Sequence, residues 1–226
     1  MPTRALIIAI DGPSGAGKGT VARTIASRLA YTHVDTGAMY RAVAWKAAHE
    51  GLDLHDAAAV ARVAERAAFD LGDRTLIDGH DVTAAIRTPA IDAAAAIVAR
   101  HPEVRAVLVE RQRAYGRNGA VVMEGRDIGS VVFPDADVKI YLDAAPEERA
   151  RRRSTDAAHA ASRDAAATEV AEALQARDHS DRTRTVSPLT LAADALYLDT
   201  TDMPIADVVA RVLERVDSTS AVPQQP

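Results

Sequence analysis

A chain of 226 residues can bury one sizeable core with room for an inserted subdomain, and its 48% hydrophobic and 26% charged residues are those of an ordinary globular protein. No apolar run approaches the roughly 20 residues that cross a bilayer, the opening MPTRALIIAI is too short in its apolar part for a secretory signal, and the absence of cysteine excludes disulfides, thiolate metal sites and thiol catalysis, as suits a cytoplasmic protein. A formal net charge of −5 argues against a protein that tracks nucleic-acid backbones, yet ERARRR (148–153) and RDHSDRTR (177–184) together hold seven arginines, a pattern that points to small anionic substrates.

In chain order, five short apolar runs read as strands: ALIIAI (5–10), THVDT (32–36), AVVMEG (120–125), VKIYLD (138–143) and ALYLDT (195–200). They are largely non-alternating, as strands buried on both faces should be. Helical periodicity lies between them. Val21, Ile25 and Leu29 share one face, and so do Ile205, Val208, Val209, Val212 and Leu213 after Pro204. The expected fold is α/β: a five-stranded parallel sheet with helices on both faces. Residues 69–90 break the rhythm with an Asp78-Gly79 step between short β-branched runs, the signature of an inserted antiparallel hairpin. The alanine runs at 57–61 and 93–96 read as close-packed helix faces, and residues 218–226 as a disordered tail.

Between the first strand and the first helix stands IDGPSGAGKGT, with Gly12, four residues, then Gly17-Lys18, the spacing of a phosphate-binding loop. Glycines let backbone N–H groups turn around an anion, the helix N-terminus adds its positive end, and Lys18 reaches the terminal phosphates. Gly19 takes the place directly after the lysine and Thr20 follows it, so Mg²⁺ is expected at Thr20 through water rather than directly. Such a loop alone leaves GTPase, ATPase and kinase open. The absence of an Asn-Lys-x-Asp element lowers the first. DTGAMYR (35–41) and EGRDIG (124–129) both follow strands, on the same carboxyl edge as the loop, so Thr36, Arg41, Arg126 and Asp127 face the same region. Converging arginines are what phosphoryl transfer needs, since that chemistry demands positioning and charge neutralisation. His33, His49 and His179 have no evident partners and read as structural or exposed.

These stretches, with IRTP (86–89), HPEVRAVLVERQRAY (101–115), MEGRDIGSVVFPDADVKIYLDA (123–144) and RDHSDRTRTVSPLTLAADALYLDT (177–200), run in order over nearly the whole chain. In this the sequence resembles the bacterial cytidylate kinases of the nucleoside monophosphate kinase group. The resemblance implies a P-loop kinase three-layer fold with a small antiparallel β subdomain and a helical lid. It also implies transfer of the γ-phosphoryl group of ATP to CMP or dCMP, with Mg²⁺, by a monomer needing neither nucleic acid nor membrane. It divides the single domain into a core (1–37, 101–148, 186–217), a monophosphate-binding region (38–100, with the β insert at 69–90) and a lid (149–185).

Carried onto this sequence, the resemblance has Gly12, Pro13, Ser14, Gly15, Ala16, Gly17, Lys18, Gly19 and Thr20 holding the ATP phosphates, with Arg153 opening the lid. Arg41, Arg126 and Arg184 grip the CMP phosphate, with Thr36 beside them. Arg177 and Asp181 meet the ribose, and Arg105 and Asp127 read the cytosine edge. Lys18, Arg126, Arg153 and Arg184 form the catalytic set. One departure stands out: Ala96 occupies the place where the family usually has a serine near the cytosine. A metabolite kinase of the shikimate or gluconate type would share the loop and lid but leaves the hairpin and the RDHSDRTR run unexplained. A non-catalytic nucleotide-binding module would have lost the arginines that are present here.

Overall fold

A computed structural model describes residues 5–156 and 167–220. In chain order the elements are Ile7–Asp11 (β1), Lys18–Leu29 (α1), Thr32–Asp35 (β2), Thr36–His49 (α2) and Ala57–Arg66 (α3). Then come Phe69–Leu71 (β3), Thr75–Ile77 (β4), His80–Asp81 (β5), Pro89–Val98 (α4) and Pro102–Tyr115 (α5). Val121–Glu124 (β6), Val138–Asp143 (β7), Pro146–Thr155 (α6), Ala167–Thr183 (α7), Leu196–Asp199 (β8) and Ile205–Ser220 (α8) complete the chain.

The five apolar runs form one parallel sheet in the order β2-β6-β1-β7-β8, with the strand that precedes the glycine loop at its centre. Alternate residues serve opposite faces. On one side Ile8, Ile10, Val122, Ile140 and Leu142 meet Val21 and Ile25 of α1 and Val208, Val209 and Val212 of α8. On the other, Ala9, Val34, Val121 and Met123 meet Val109 of α5, Ile128 and Val132. Burial on both sides is the reason the runs of β1, β6 and β7 do not alternate in polarity, whereas the edge strands β2 and β8 correct the expectation by exposing Thr32, Tyr197 and Asp199. Ile205 departs from the expected helix face: it is exposed at the start of α8.

Each strand of this sheet ends on an acid: Asp11, Asp35, Glu124, Asp143 and Asp199. The carboxyl edge is thus lined with acceptors that organise the loops leaving it. A second core joins α2, α3, α4 and α5 through Met39, Val43, Val60, Val63, Val98 and Leu108. The alanine-rich faces of α3 and α4 pack into it through Ala61, Ala64, Ala94 and Ala95.

The insert is a three-stranded antiparallel sheet, β3-β4-β5, turning at Asp78 (φ 50°) and Gly79 (φ 78°). Both turn residues lie in the left-handed region, as a two-residue hairpin loop requires. The β structure stops at Asp81, short of the expected residue 90, because a short 3-10 turn (Ala85–Arg87) leads into α4. Thr88 caps that helix, its hydroxyl accepting from Ile91 N at 3.3 Å, and Pro89 fits the first helical position. The tail expectation is corrected in part. α8 continues through Ser220, and the hydroxyls of Ser218, Thr219 and Ser220 donate to carbonyls one turn back at 2.8, 2.9 and 3.0 Å. Residues 221–226 lie outside the described residues, as do 157–166 of the expected lid, whose described arms are α6 and α7. Among the described residues no helix is long and apolar enough to cross a membrane.

The tightest packing on the carboxyl edge is at Gly12, where φ is +142° and an added Cβ would lie 1.9 Å from Leu142 O. Gly12→Ala is therefore expected to lower the free energy of unfolding by about 2–5 kcal/mol, combining backbone strain with overpacking. Urea denaturation followed by circular dichroism checks this, and an unchanged midpoint would contradict it.

Candidate active site

The loop from Gly12 to Gly17 has positive φ at Gly12, Gly15 and Gly17, which coils it between β1 and α1. Its carbonyl oxygens are engaged from outside. Pro13 O accepts from Lys18 Nζ at 2.6 Å, Ser14 O from Arg149 Nη1 at 3.1 Å, and Ala16 O from the Thr200 hydroxyl at 3.4 Å. Gly17 caps α1 without a side chain. The first-turn N–H groups therefore have no side-chain acceptor, the arrangement in which a helix terminus takes an anion.

Lys18 is buried, and burial together with the positive charge of Arg126 brings its amine from an ordinary 10.5 down to about 7. Asp11, just before the loop, is lifted to about 6 by burial, against the hydrogen bonds it accepts from the N–H groups of Ile128 (2.8 Å) and Gly129 (2.7 Å). Those two residues follow Asp127 directly. One carboxylate thus ties the phosphate loop to the segment that carries Asp127.

Arg149 and Asp178 hold the loop from the lid side. They form a buried ion pair, Arg149 Nε donates to Ala144 O at 3.0 Å, and Ser14 N donates to Asp178 Oδ1 at 3.3 Å. Neither residue was picked out from the sequence, although both stand in the two arginine-rich stretches. The helical spacing of Asp178 and Asp181, three apart on α7, was the available signal.

Opposite the loop, guanidinium groups share carboxylates. Asp35 lies between Arg41 (2.9 Å) and Arg87 (3.3 Å). Asp127 pairs with Arg105 and lies 3.5 Å from Arg184. Asp181 accepts from Arg126 Nε at 2.8 Å and lies 3.6 Å from Arg184. Asp92 pairs with Arg153 and with Arg177, the latter at 2.8 Å. Burial works against the charges of Asp35 and Asp181, but their guanidinium partners hold both carboxyls below the usual range. Arg105 is buried with its guanidinium 5.5 Å from the ring centre of Tyr40. The Thr36 hydroxyl donates to Glu124 O at 2.7 Å.

One cleft of about 900 Å³ is lined by Ser14–Val21 on one side and Thr36, Arg41, Arg105, Arg126, Asp127, Arg153, Arg177, Asp181 and Arg184 on the other. Every residue expected at the site lines it except Gly12 and Pro13, which back the loop. Ala96 lines it too, as a bare methyl. Arg184 stands beside Asp127 and Asp181, whereas Arg41 is held by Asp35 some way along the wall. Residues that the sequence reading did not reach are Asp35, Arg87, Tyr40, Asp92, Arg149 and Asp178. The expectation that His33 lacks a partner is corrected: its Nε2 lies 3.0 Å from Glu124 Oε1. His49 stacks on Trp45 at 4.9 Å, and His179 is exposed.

Among the described residues no cluster of three or more His, Cys, Asp or Glu side chains could cage a metal. The exposed Thr20 hydroxyl at the start of α1 is a single oxygen donor beside the loop. A hydroxyl oxygen is a donor that fits a hard cation such as Mg²⁺.

A glycine loop at the central strand, facing a wall of arginines across a deep cleft, defines a P-loop kinase. Residues 8–218 match the family described as cytidylate kinase, and the chain belongs to that family. A cytidylate kinase of Pelotomaculum thermopropionicum is 48% identical to it, covering 93% of this chain and 96% of the relative. One from Desulfitobacterium hafniense is 49% identical over 92% and 91%. Among solved structures, a gluconokinase from Sinorhizobium meliloti has a TM-score of 0.50 at 13% identity, covering 96% of this chain and 94% of that one, which speaks to the fold alone.

The Arg149–Asp178 pair yields a direct expectation. Asp178→Asn leaves a buried guanidinium without its counter-charge, and should cost about 3–5 kcal/mol of stability. Chemical denaturation of the variant measures it. A loss below about 1 kcal/mol would show the pair to be screened and unimportant to the loop.

Proposed function

We propose that this kinase transfers the γ-phosphoryl group of ATP to CMP or dCMP, giving ADP and the nucleoside diphosphate. The observation that carries this reading is the placement of the Arg105–Asp127 pair across one cleft from the phosphate loop. In this reading residues 12–20 cradle the ATP phosphates, and Lys18 and Arg153 neutralise charge on the transferring group. Arg41 and Arg126 hold the acceptor phosphate, with Thr36 beside them. Arg177 and Asp181 take the ribose. The position of Arg184 between Asp127 and Asp181 adds a second duty to its expected grip on the phosphate, that of fixing these two carboxylates.

No general base is required. The second pKa of a phosphate monoester is about 6, so the acceptor oxygens are already mostly deprotonated at neutral pH. Asp127 accepts from the N4 amino group of cytosine and repels the O4 of uracil. Because Ala96 offers no hydroxyl, the discrimination falls on Asp127 and Arg105. Mg²⁺ bound to the ATP phosphates would meet the protein at Thr20 through water, and supplies charge neutralisation there.

The division into core, monophosphate-binding region 38–100 and lid 149–185 belongs to the same proposal, lid closure excluding water from the transfer. So do a monomeric state, supported by one chain furnishing both sides of the cleft, and a cytoplasmic location, consistent with a protein whose substrates are free nucleotides. Nucleic-acid polymers and membranes play no part in it.

The test is an ADP-release assay with ATP and Mg²⁺ against CMP, dCMP, UMP and AMP. Turnover is expected with CMP and dCMP, and none with any nucleotide would refute the reading. Asp127→Asn places an amide donor opposite the base, so the CMP over UMP preference should fall about 10-fold or more, the value of one charged hydrogen bond. Equal losses with both pyrimidines would remove Asp127 from base recognition.

Proton linkage gives a second check, independent of the acceptor. With Lys18 at about 7 in the free protein, most molecules carry a neutral amine at pH 8. A bound polyphosphate favours the ammonium form, so ATP binding at pH 8 should take up close to one proton. Titration calorimetry in buffers of different ionisation enthalpy reads the uptake, and Lys18→Met should abolish it.

A further inference from the structure

Asp92 has no part in the transfer as described, yet it is the carboxylate on which two arginines of the reaction converge. It sits in the first turn of α4, in the acceptor-side region, and its two oxygens are divided between Arg153 of α6 and Arg177 of α7. All three side chains are largely buried, at 13–16% exposure. A further polar contact joins the same elements: Arg100 Nη1, just past the end of α4, donates to the Ser180 hydroxyl of α7 at 3.3 Å.

A carboxylate here could act in two opposite ways. It could compete with nucleotide phosphates for the arginines, or it could stand behind them and fix where their remaining N–H groups point. The cleft decides between these. Arg153 and Arg177 line it, whereas Asp92 does not. Asp92 therefore does not border the cleft, whereas the two arginines that it holds do.

Its electrostatic task is equally specific. Arg153 is flanked by the charges of Arg177 and Arg41 and is desolvated, which brings its guanidinium down to about 10, with Asp92 opposing that shift. Without the carboxylate, two largely buried cations on different helices would repel each other and loosen α6 from α7.

We propose that Asp92 is a positioning residue for phosphoryl transfer: from α4 it clasps Arg153 and Arg177, holding the lid arginines in transfer geometry before nucleotide binds. The clasp joins the acceptor-side helix to both described arms of the lid, so the position of α4 and the aim of the arginines are set together. This rests on the function proposed above, in which Arg153 serves the transferring group and Arg177 the acceptor ribose.

The experiment compares wild type with Asp92→Asn, which keeps size and removes charge, and with Asp92→Glu, which keeps charge. Steady-state kinetics with ATP and CMP should show kcat lowered about 10–100-fold in Asp92→Asn, the cost of a misplaced catalytic group. The KM for ATP should stay within about 3-fold of wild type, since the phosphate loop is untouched, while the KM for CMP rises because Arg177 serves the acceptor ribose. Asp92→Glu should recover most of the rate. In parallel, amide hydrogen exchange without nucleotide should accelerate in Asp92→Asn more across Pro146–Thr155 and Ala167–Thr183 than in the central strands Ile7–Asp11 and Val121–Glu124, so that the loosening is local to the lid arms. An unchanged kcat would overturn the proposal. So would a lowered KM for ATP with kcat retained, because that result would make the carboxylate a competitor. If wild-type enzyme released no ADP with CMP, the function reading would fall instead, and the exchange comparison would still decide whether Asp92 holds the lid.

Discussion

The constraint on which the site depends is the cost of gathering cations in a cleft sheltered from water. Of the guanidinium groups lining it, seven share four carboxylates: Asp35, Asp92, Asp127 and Asp181. Among the described residues each carboxylate meets two arginines, so the charges are held apart and oriented but not fully cancelled. The positive excess that remains suits the cleft to the phosphates of the proposed reaction. The same sharing explains why a chain with a net charge of −5 can present a basic cleft.

The scaffold meets this demand at the carboxyl edge of the parallel sheet. All five strands end there on an acid, and three of those acids face the cleft or its supports: Asp11 takes two backbone N–H groups, Asp35 two arginines, and Glu124 the imidazole of His33. The phosphate loop is pinned at its carbonyls by Lys18, Arg149 and Thr200, which come from three separate elements or edges. The glycine loop, the arginine wall and the helix pair α6 and α7 are therefore not independent modules. Asp11 connects the first to the second, Arg149 with Asp178 connects the first to the third, and Asp92 connects the second to the third.

Much of this was legible in the sequence where the signal is local. The strand runs carry their own β-branched composition, the glycine loop its own spacing, and Asp78-Gly79 its own turn, because each rests on contacts between residues a few positions apart. Where a boundary depended on a competing local signal, reading by pattern went astray. The β-branched pattern runs on toward residue 90 although Thr88-Pro89 is a helix start, and the polar residues 218–220 lack apolar periodicity although their hydroxyls back-bond onto α8. The roles proposed for Arg105, Arg177 and Asp181 rest on the resemblance to the cytidylate kinases, since composition and spacing alone leave them without assignment.

What the sequence determined by itself was the order of strands and helices, the phosphate loop, and the arginine-rich stretches bordering the site. Tertiary structure alone decided which carboxylate each arginine meets. Asp92 lies 61 residues from Arg153 and 85 from Arg177, and Asp178 lies 29 from Arg149. No periodicity spans such distances. The pairing is set by the sheet bringing its loops to one edge and by the lid helices folding over it, and buried charges then accept only the partners that packing places within reach.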